Sequence, residues 1–182
     1  RHAVLFADWL VLPRGSAFAF DGTDDYVEMN TGSTVVIREE MDYTVEFWFK
    51  ASPNQTNAVM FSSGKGDGED IFNDYNLSIG FNEQGYLSVM HNGSSLQYAS
   101  QEVDFRDDNW HHLALAVHRL GNANLFVDGE LLASAPGANF AGLAGGRMHL
   151  GARVYKTGSI SRAQDHFFIG KLDEVRIWRL GK

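Results

Sequence analysis

Residues 43–50 show the pattern that governs the chain: Tyr43, Val45, Phe47 and Phe49 alternate with Thr44, Glu46, Trp48 and Lys50. An apolar residue at every second position turns one face of an extended strand to a core and the other to solvent. The pattern recurs. Residues 75–81 and 86–91 predict two strands around Asn82-Glu83-Gln84-Gly85, a hairpin turn. Within 111–118, Leu113, Leu115 and Val117 share a face. Residues 124–127 and 130–132 flank Asp128-Gly129, a dipeptide that favours a type I′ turn. Residues 3–12, 147–150 and 167–178 complete the predicted strands. No long stretch keeps a helical apolar period, so the sequence predicts an all-β, antiparallel fold in which two sheets pack as a sandwich.

Two stretches break the rhythm. Residues 64–74 are acidic and glycine-rich, and residues 152–165 are polar and basic. Both are read as long loops, the segments of a β domain in which function concentrates.

The chain has 182 residues, which predicts a single domain over 1–182 with a core large enough to need no metal or disulfide staple. It starts at Arg1 and not Met, so the expectation is a piece of a longer protein. Residues 3–12 contain Asp8 and are too short to span a bilayer, so no membrane insertion is expected. The formal charge of −8 disfavours nucleic acid and anionic membranes. Cysteine is absent, which excludes disulfides, thiolate metal sites and thiol nucleophiles.

Five segments, in order, carry a family signature: FDGTDDYVEM, TVEFWFK, WHHLALAV, NLFVDGELL and FFIGKLDEVRIW. Over residues 16–180 the chain resembles the laminin-G-like domains of the concanavalin A-like lectin/glucanase superfamily, in particular the branch found in bacterial surface proteins. The resemblance implies a two-sheet jelly-roll sandwich with its N- and C-terminal strands adjacent. It implies a non-catalytic module that binds glycans or proteins or acts as a spacer, with one structural Ca²⁺ in many members.

Calcium takes six to eight hard oxygens, mixing carboxylates with backbone carbonyls. Asp21, Asp24 and Asp25 lie on a tight turn beside Gly22, where carbonyls are also exposed. The resemblance places the acid of the last strand, Asp173, beside the first strands. The expected metal ligands are therefore Asp21, Asp24 and Asp173; the same turn also reads as one held by Asx hydrogen bonds alone. The acidic stretch 64–74 offers a second cation site through Asp67, Glu69, Asp70, Asn73 and Asp74, but it lacks EF-hand spacing and reads first as a solvated loop, or as part of a ligand rim.

Retaining glycosidases need two carboxyl groups about 5–5.5 Å apart. Glu46 has Thr44 and Trp48 at its alternate positions and no acidic partner on its strand. The family pattern pairs it with Arg176 instead, so the chain is not expected to be an enzyme. His111, His112 and His118 are read as packing residues.

Sugar recognition combines aromatic faces with amide, carboxylate and guanidinium groups. Asp70, Asn73, Tyr75, His91, Arg153 and Tyr155 fit that description at strand ends or in the two loops, and are the candidate ligand contacts. The resulting expectation is an extracellular or cell-surface recognition module acting in adhesion, with Ca²⁺ as cofactor. It would bind a glycan or an extracellular protein and sit beside other domains of a larger chain. The alternatives are a non-binding accessory or spacer domain of a secreted polysaccharide-degrading enzyme, and a glycoside hydrolase.

Overall fold

The alternation of residues 43–50 becomes strand β4 (Asp42–Ala51), the central element of one sheet. Tyr43, Val45, Phe47, Phe49 and Ala51 are fully buried, while Glu46 and Trp48 lie on the outer face. The computed structural model describes residues 2–6, 16–30, 37, 41–64, 75–91, 93–98, 103–140, 142, 147–157 and 161–180. Before β4 come β1 (His2–Phe6), β2 (Phe18–Asp21) and β3 (Tyr26–Asn30). After it come β5 (Ala58–Gly64), β6 (Tyr75–Phe81), β7 (Leu87–His91), β8 (Ser94–Tyr98), β9 (Trp110–Val117), β10 (Asn122–Val127) and β11 (Glu130–Pro136). A 3₁₀ turn (Gly137–Phe140), β12 (Arg147–Leu150), β13 (Arg153–Thr157), β14 (Ser161–Asp165) and β15 (Ile169–Leu180) follow.

One sheet has six strands in the order β11-β10-β9-β4-β15-β2, and the other has seven, in the order β1-β3-β12-β5-β6-β7-β8. Pairing is antiparallel except between β1 and β3. Within residues 16–180, the span of the resemblance, the first strand β2 and the last strand β15 pair as the resemblance implies, whereas β1 joins the other sheet beside β3. The inward faces of the two sheets form one core. Phe47, Phe49, Leu113, Leu115, Leu125 and Leu172 come from the six-stranded sheet, and Phe61, Leu77, Ile79, Leu87, Val89 and Leu150 from the seven-stranded one. Each such side chain contributes roughly 1.5–3 kcal/mol of apolar burial. Among the described residues, no helix is long and apolar enough to cross a membrane.

The predicted turns form. Asp128 and Gly129 both have positive φ, 52° and 83°, as a type I′ turn requires. The Asn82 carboxamide oxygen accepts from the backbone N–H groups of Gln84 and Tyr86 at 3.0 and 2.9 Å, closing the β6–β7 hairpin.

Two expectations change. Residues 152–165 are not one long loop: β13 and β14 pair as a separate two-stranded hairpin, tied by Arg153 to Asp165. Its sequence has no clear apolar alternation, so the pattern that finds core strands does not find it. Strands β5 and β8 are also absent from the expectation: Ala58, Val59, Met60 and Phe61 of β5 are all buried and show no alternation, and Leu96 is the one deeply buried residue of β8.

Candidate functional site

Gly22, with φ of 80°, turns the chain sharply between β2 and β3. The carboxylates of Asp21, Asp24 and Asp25 converge there, one oxygen from each lying within 4.8 Å of the others. Asp21 Oδ1 accepts from the Thr23 backbone N–H at 2.8 Å, which is the Asx turn anticipated from the sequence. Three carboxylates on an exposed turn form a hard-oxygen set of the kind Ca²⁺ takes.

Asp173 is not part of this set. Ile169 is the residue of β15 that pairs with Asp21. Asp173 lies four residues farther along, about 13 Å at the rise of a strand. It pairs with Trp48 at a β-bulge, where Glu174 adopts a φ of 49°, and its Oδ1 accepts from the Glu174 N–H at 2.8 Å. The expected register failed because Asp173 belongs to the middle of β15 and not to its start. Asp25 takes the third place in the cluster.

His91 is also not a rim residue. Alternation along β7 puts Leu87, Val89 and His91 on the inner face, and His91 is only 3% exposed. Its Nδ1 and Nε2 lie 2.9 and 3.0 Å from the carbonyl oxygens of Asn139 and Gly142, and its ring packs near Phe140. It fastens a loop to the sheet. Asp70 and Asn73, with Asp67, Glu69 and Asp74 of the same stretch, lie outside the described residues. Tyr75 opens β6, and Tyr155 is the central residue of β13, paired with Ala163.

Arg153 lines a cleft of about 360 Å³ on the outer side of the seven-stranded sheet. Its floor is Ser78, Gly80, Ser88 and Met90, the outward positions of β6 and β7, with Asn57, Asn82, Gln84 and His166 at the sides. Gly80 is needed there, because a Cβ would stand 2.1 Å from the Ala58 carbonyl oxygen. Arg153 Nε and Nη2 donate to the two oxygens of Asp165 at 2.6 and 2.5 Å. His166 Nδ1 stands 2.6 Å from Asp165 Oδ1, in ion-pair range but off the hydrogen-bond axis. Burial alone would raise the Asp165 carboxyl; the Arg153 hydrogen bond and His166 outweigh it and hold it below the ordinary carboxylate range. The guanidinium is thereby fixed in orientation at the cleft wall. Met90 reads in the sequence as a core or sheet-face residue, and Ser78 and Ser88 carry no aromatic or charged group to mark them; outward alternation along β6 and β7 is the available signal.

On the opposite sheet, Glu46 sits among Trp178, Arg176 and His112. Trp178 Nε1 donates to its Oε1 at 2.9 Å, Arg176 Nη1 is 3.6 Å away, and His112 Nε2 is 3.8 Å from Oε2. The expected Glu46–Arg176 pairing is present, directly across strands β4 and β15. His111, one residue from His112, lies on the inner side between Asp128 (Nδ1 to Oδ2, 2.7 Å) and Asp107 (Nε2 to Oδ1, 3.1 Å). Burial would lower its pKa, but hydrogen bonds to both carboxylates overcome this and raise it.

The family model described as Concanavalin A-like lectin/glucanases superfamily (Laminin_G_3) matches residues 21–180, and the chain belongs to that family. A search of curated proteins finds no match. Among solved structures, domains LG4-5 of the mouse laminin alpha1 chain align with a TM-score of 0.65 at 16% identity, covering 90% of this chain and 42% of that one. The native heptameric SAP-like pentraxin from Limulus polyphemus aligns with a TM-score of 0.60 at 14% identity, over 88% of this chain and 74% of that one. The Ruminococcus gnavus IT-sialidase CBM40 bound to alpha2,3 sialyllactose aligns with a TM-score of 0.53 at 18% identity, over 76% of each chain. These likenesses establish the jelly-roll sandwich.

Proposed function

We propose that the chain is a non-catalytic glycan-recognition module of an extracellular, surface-associated protein, and that it acts in adhesion. The cleft at Arg153 carries this reading. At about 360 Å³ it falls in the size range of small-ligand sites. Hydroxyl, carboxamide, carboxylate, imidazole and guanidinium groups line the cleft together with Met90, a mixture that suits a sugar's hydroxyls and its C–H face. A domain of the same fold, the sialidase CBM40, is solved with alpha2,3 sialyllactose, so this sandwich can accommodate a saccharide. Glu46, bound to Trp178 and facing Arg176, is better suited to holding the sheet than to acid–base chemistry.

Ca²⁺ belongs to the proposal. Asp21, Asp24 and Asp25 would hold it, and it would supply a cross-link across the β2–β3 turn.

A glycan array run with and without Ca²⁺, followed by calorimetry on the strongest saccharide, tests the reading. Met90→Asp and Arg153→Ala are each expected to weaken binding by about tenfold or more. An array blank under both conditions, or binding indifferent to both substitutions, overturns it.

A further inference from the structure

The chain has four tryptophans, and three of them face solvent on the same side of the six-stranded sheet. Trp48, Trp110 and Trp178 are 38, 41 and 52% exposed, on the adjacent strands β4, β9 and β15. Scattered exposed apolar residues need no explanation, but indoles gathered on neighbouring strands mark a binding surface.

Register fixes their spacing. Trp110 is opposite Lys50 and Trp178 is opposite Thr44, so measured along β4 the rings stand at the levels of residues 50, 48 and 44. At the rise of a strand this track is about 20 Å long, with steps of about 7 and 13 Å. Two of the rings are also held before any ligand arrives. The Trp178 indole is bonded to Glu46 at 2.9 Å, and Trp48 packs on His112 with centroids 5.2 Å apart.

The charges between the rings select the ligand class. Lys50 pairs with Asp108 and Arg176 with Glu46 and Glu174, and with Lys171 and Asp173 the face carries three cations against four carboxylates, a near balance that gives a polyanion no attraction and a polycation little. Covering it with a dry protein interface would desolvate all of these groups. An uncharged polyol has no such requirement: its C–H faces stack on indoles and its hydroxyls bond to carboxylates and guanidinium. The rings follow a diagonal across β9, β4 and β15, and a line of that length calls for an extended ligand.

We propose that the outer face of the six-stranded sheet is a second binding surface, a stacking track for a neutral, linear polysaccharide. It lies on the opposite sheet from the Arg153 cleft and stands or falls separately from it.

Native affinity electrophoresis in gels containing hydroxyethylcellulose, xylan or galactomannan tests this, with chondroitin sulfate as the polyanion. At least one neutral polymer is expected to retard the chain. Trp48→Ala and Trp178→Ala should each weaken that retardation about tenfold, while Trp48→Phe, which keeps a ring, retains most of it. Met90→Asp, in the other cleft, should leave it intact. Unchanged melting of the tryptophan variants would separate lost stacking from lost fold. Retardation by no neutral polymer, by chondroitin sulfate alone, or equally in the Trp48→Ala/Trp178→Ala double variant overturns the proposal. So does a concentration-dependent dimer that the tryptophan substitutions abolish, since a second copy would then be what covers this face.

Discussion

The Trp178 indole N–H donates to Glu46 Oε1 at 2.9 Å, joining residues 132 positions apart in the sequence. The same carboxylate faces Arg176, so a single acid organises the outer sides of β4 and β15. Glu46→Ala should lower stability by about 1 kcal/mol, the net worth of a partly exposed hydrogen bond, and should change the Trp178 fluorescence. Glu46→Gln retains an oxygen acceptor for the indole and should cost less. Denaturant unfolding followed by fluorescence distinguishes the two, and equal effects would show that the charge toward Arg176 matters more than the indole bond.

His111 gives the fold a dependence on pH. Its pKa is raised in the folded protein by Asp128 and Asp107, so the folded state holds its proton more tightly than the unfolded state does. That contribution is complete below the unfolded value of about 6.5 and is lost as pH rises through the higher folded value. Asp107 has the opposite sign. Burial opposes its ionisation, but hydrogen bonds from Asn109 and His111 hold its pKa down, so its contribution is lost on acidification. The melting temperature should fall as pH increases from about 6.5, and His111→Gln should flatten that limb and shrink the acid one without abolishing it, because Asn109 still holds Asp107 down. A wild-type profile level above neutrality would contradict the assignment.

The strands whose buried faces alternate strictly were legible in the sequence. Val45, Phe47 and Phe49, like Leu113, Leu115 and Val117, declare their faces because burial enforces the period of two. Hairpin β13–β14 was not legible, because its pairing is held by its backbone and by Arg153 with Asp165, with no clear apolar stripe. The site was less legible than the fold. Alternation tells which face a residue takes, and it would have turned His91 inward with Leu87 and Val89. It does not tell where two distant strands stand in register. That information decides Asp173: a bulge at Glu174 and the pairing of Ile169 with Asp21 are tertiary facts, and they separate two acids that the motif order had joined.

The same register makes the metal proposal decidable. If Asp21, Asp24 and Asp25 hold Ca²⁺, adding Ca²⁺ to chelator-treated protein should raise its melting temperature, because binding to the folded state alone stabilises it. Asp21→Asn and Asp24→Asn should diminish the rise, and Asp173→Asn should leave it unchanged. A rise abolished by Asp173→Asn would restore the ligand set expected from the sequence and refute the register argument.

The 3₁₀ turn Gly137–Phe140 is gripped from both sheets. From β4, the buried Tyr43 hydroxyl donates to the Phe140 carbonyl at 2.8 Å, and burial also pushes the pKa of that phenol upward. From β7, His91 reaches the carbonyls of Asn139 and Gly142. Tyr43→Phe removes only the donor and leaves a buried carbonyl unbonded, a loss of about 1–3 kcal/mol. His91→Leu keeps comparable bulk but removes the imidazole donor that faces two carbonyls, so its cost should be comparable. Because both side chains restrain one short segment, the second loss should cost less than the first: once the turn has loosened, its carbonyls can reach water. The double variant should therefore be more stable than the sum of the single effects implies, by about 0.5 kcal/mol or more. Urea midpoints of the four proteins measure that coupling. Strict additivity would mean that Tyr43 and His91 act on separate structures, and that the 3₁₀ turn is not the link between the two sheets at this end of the sandwich.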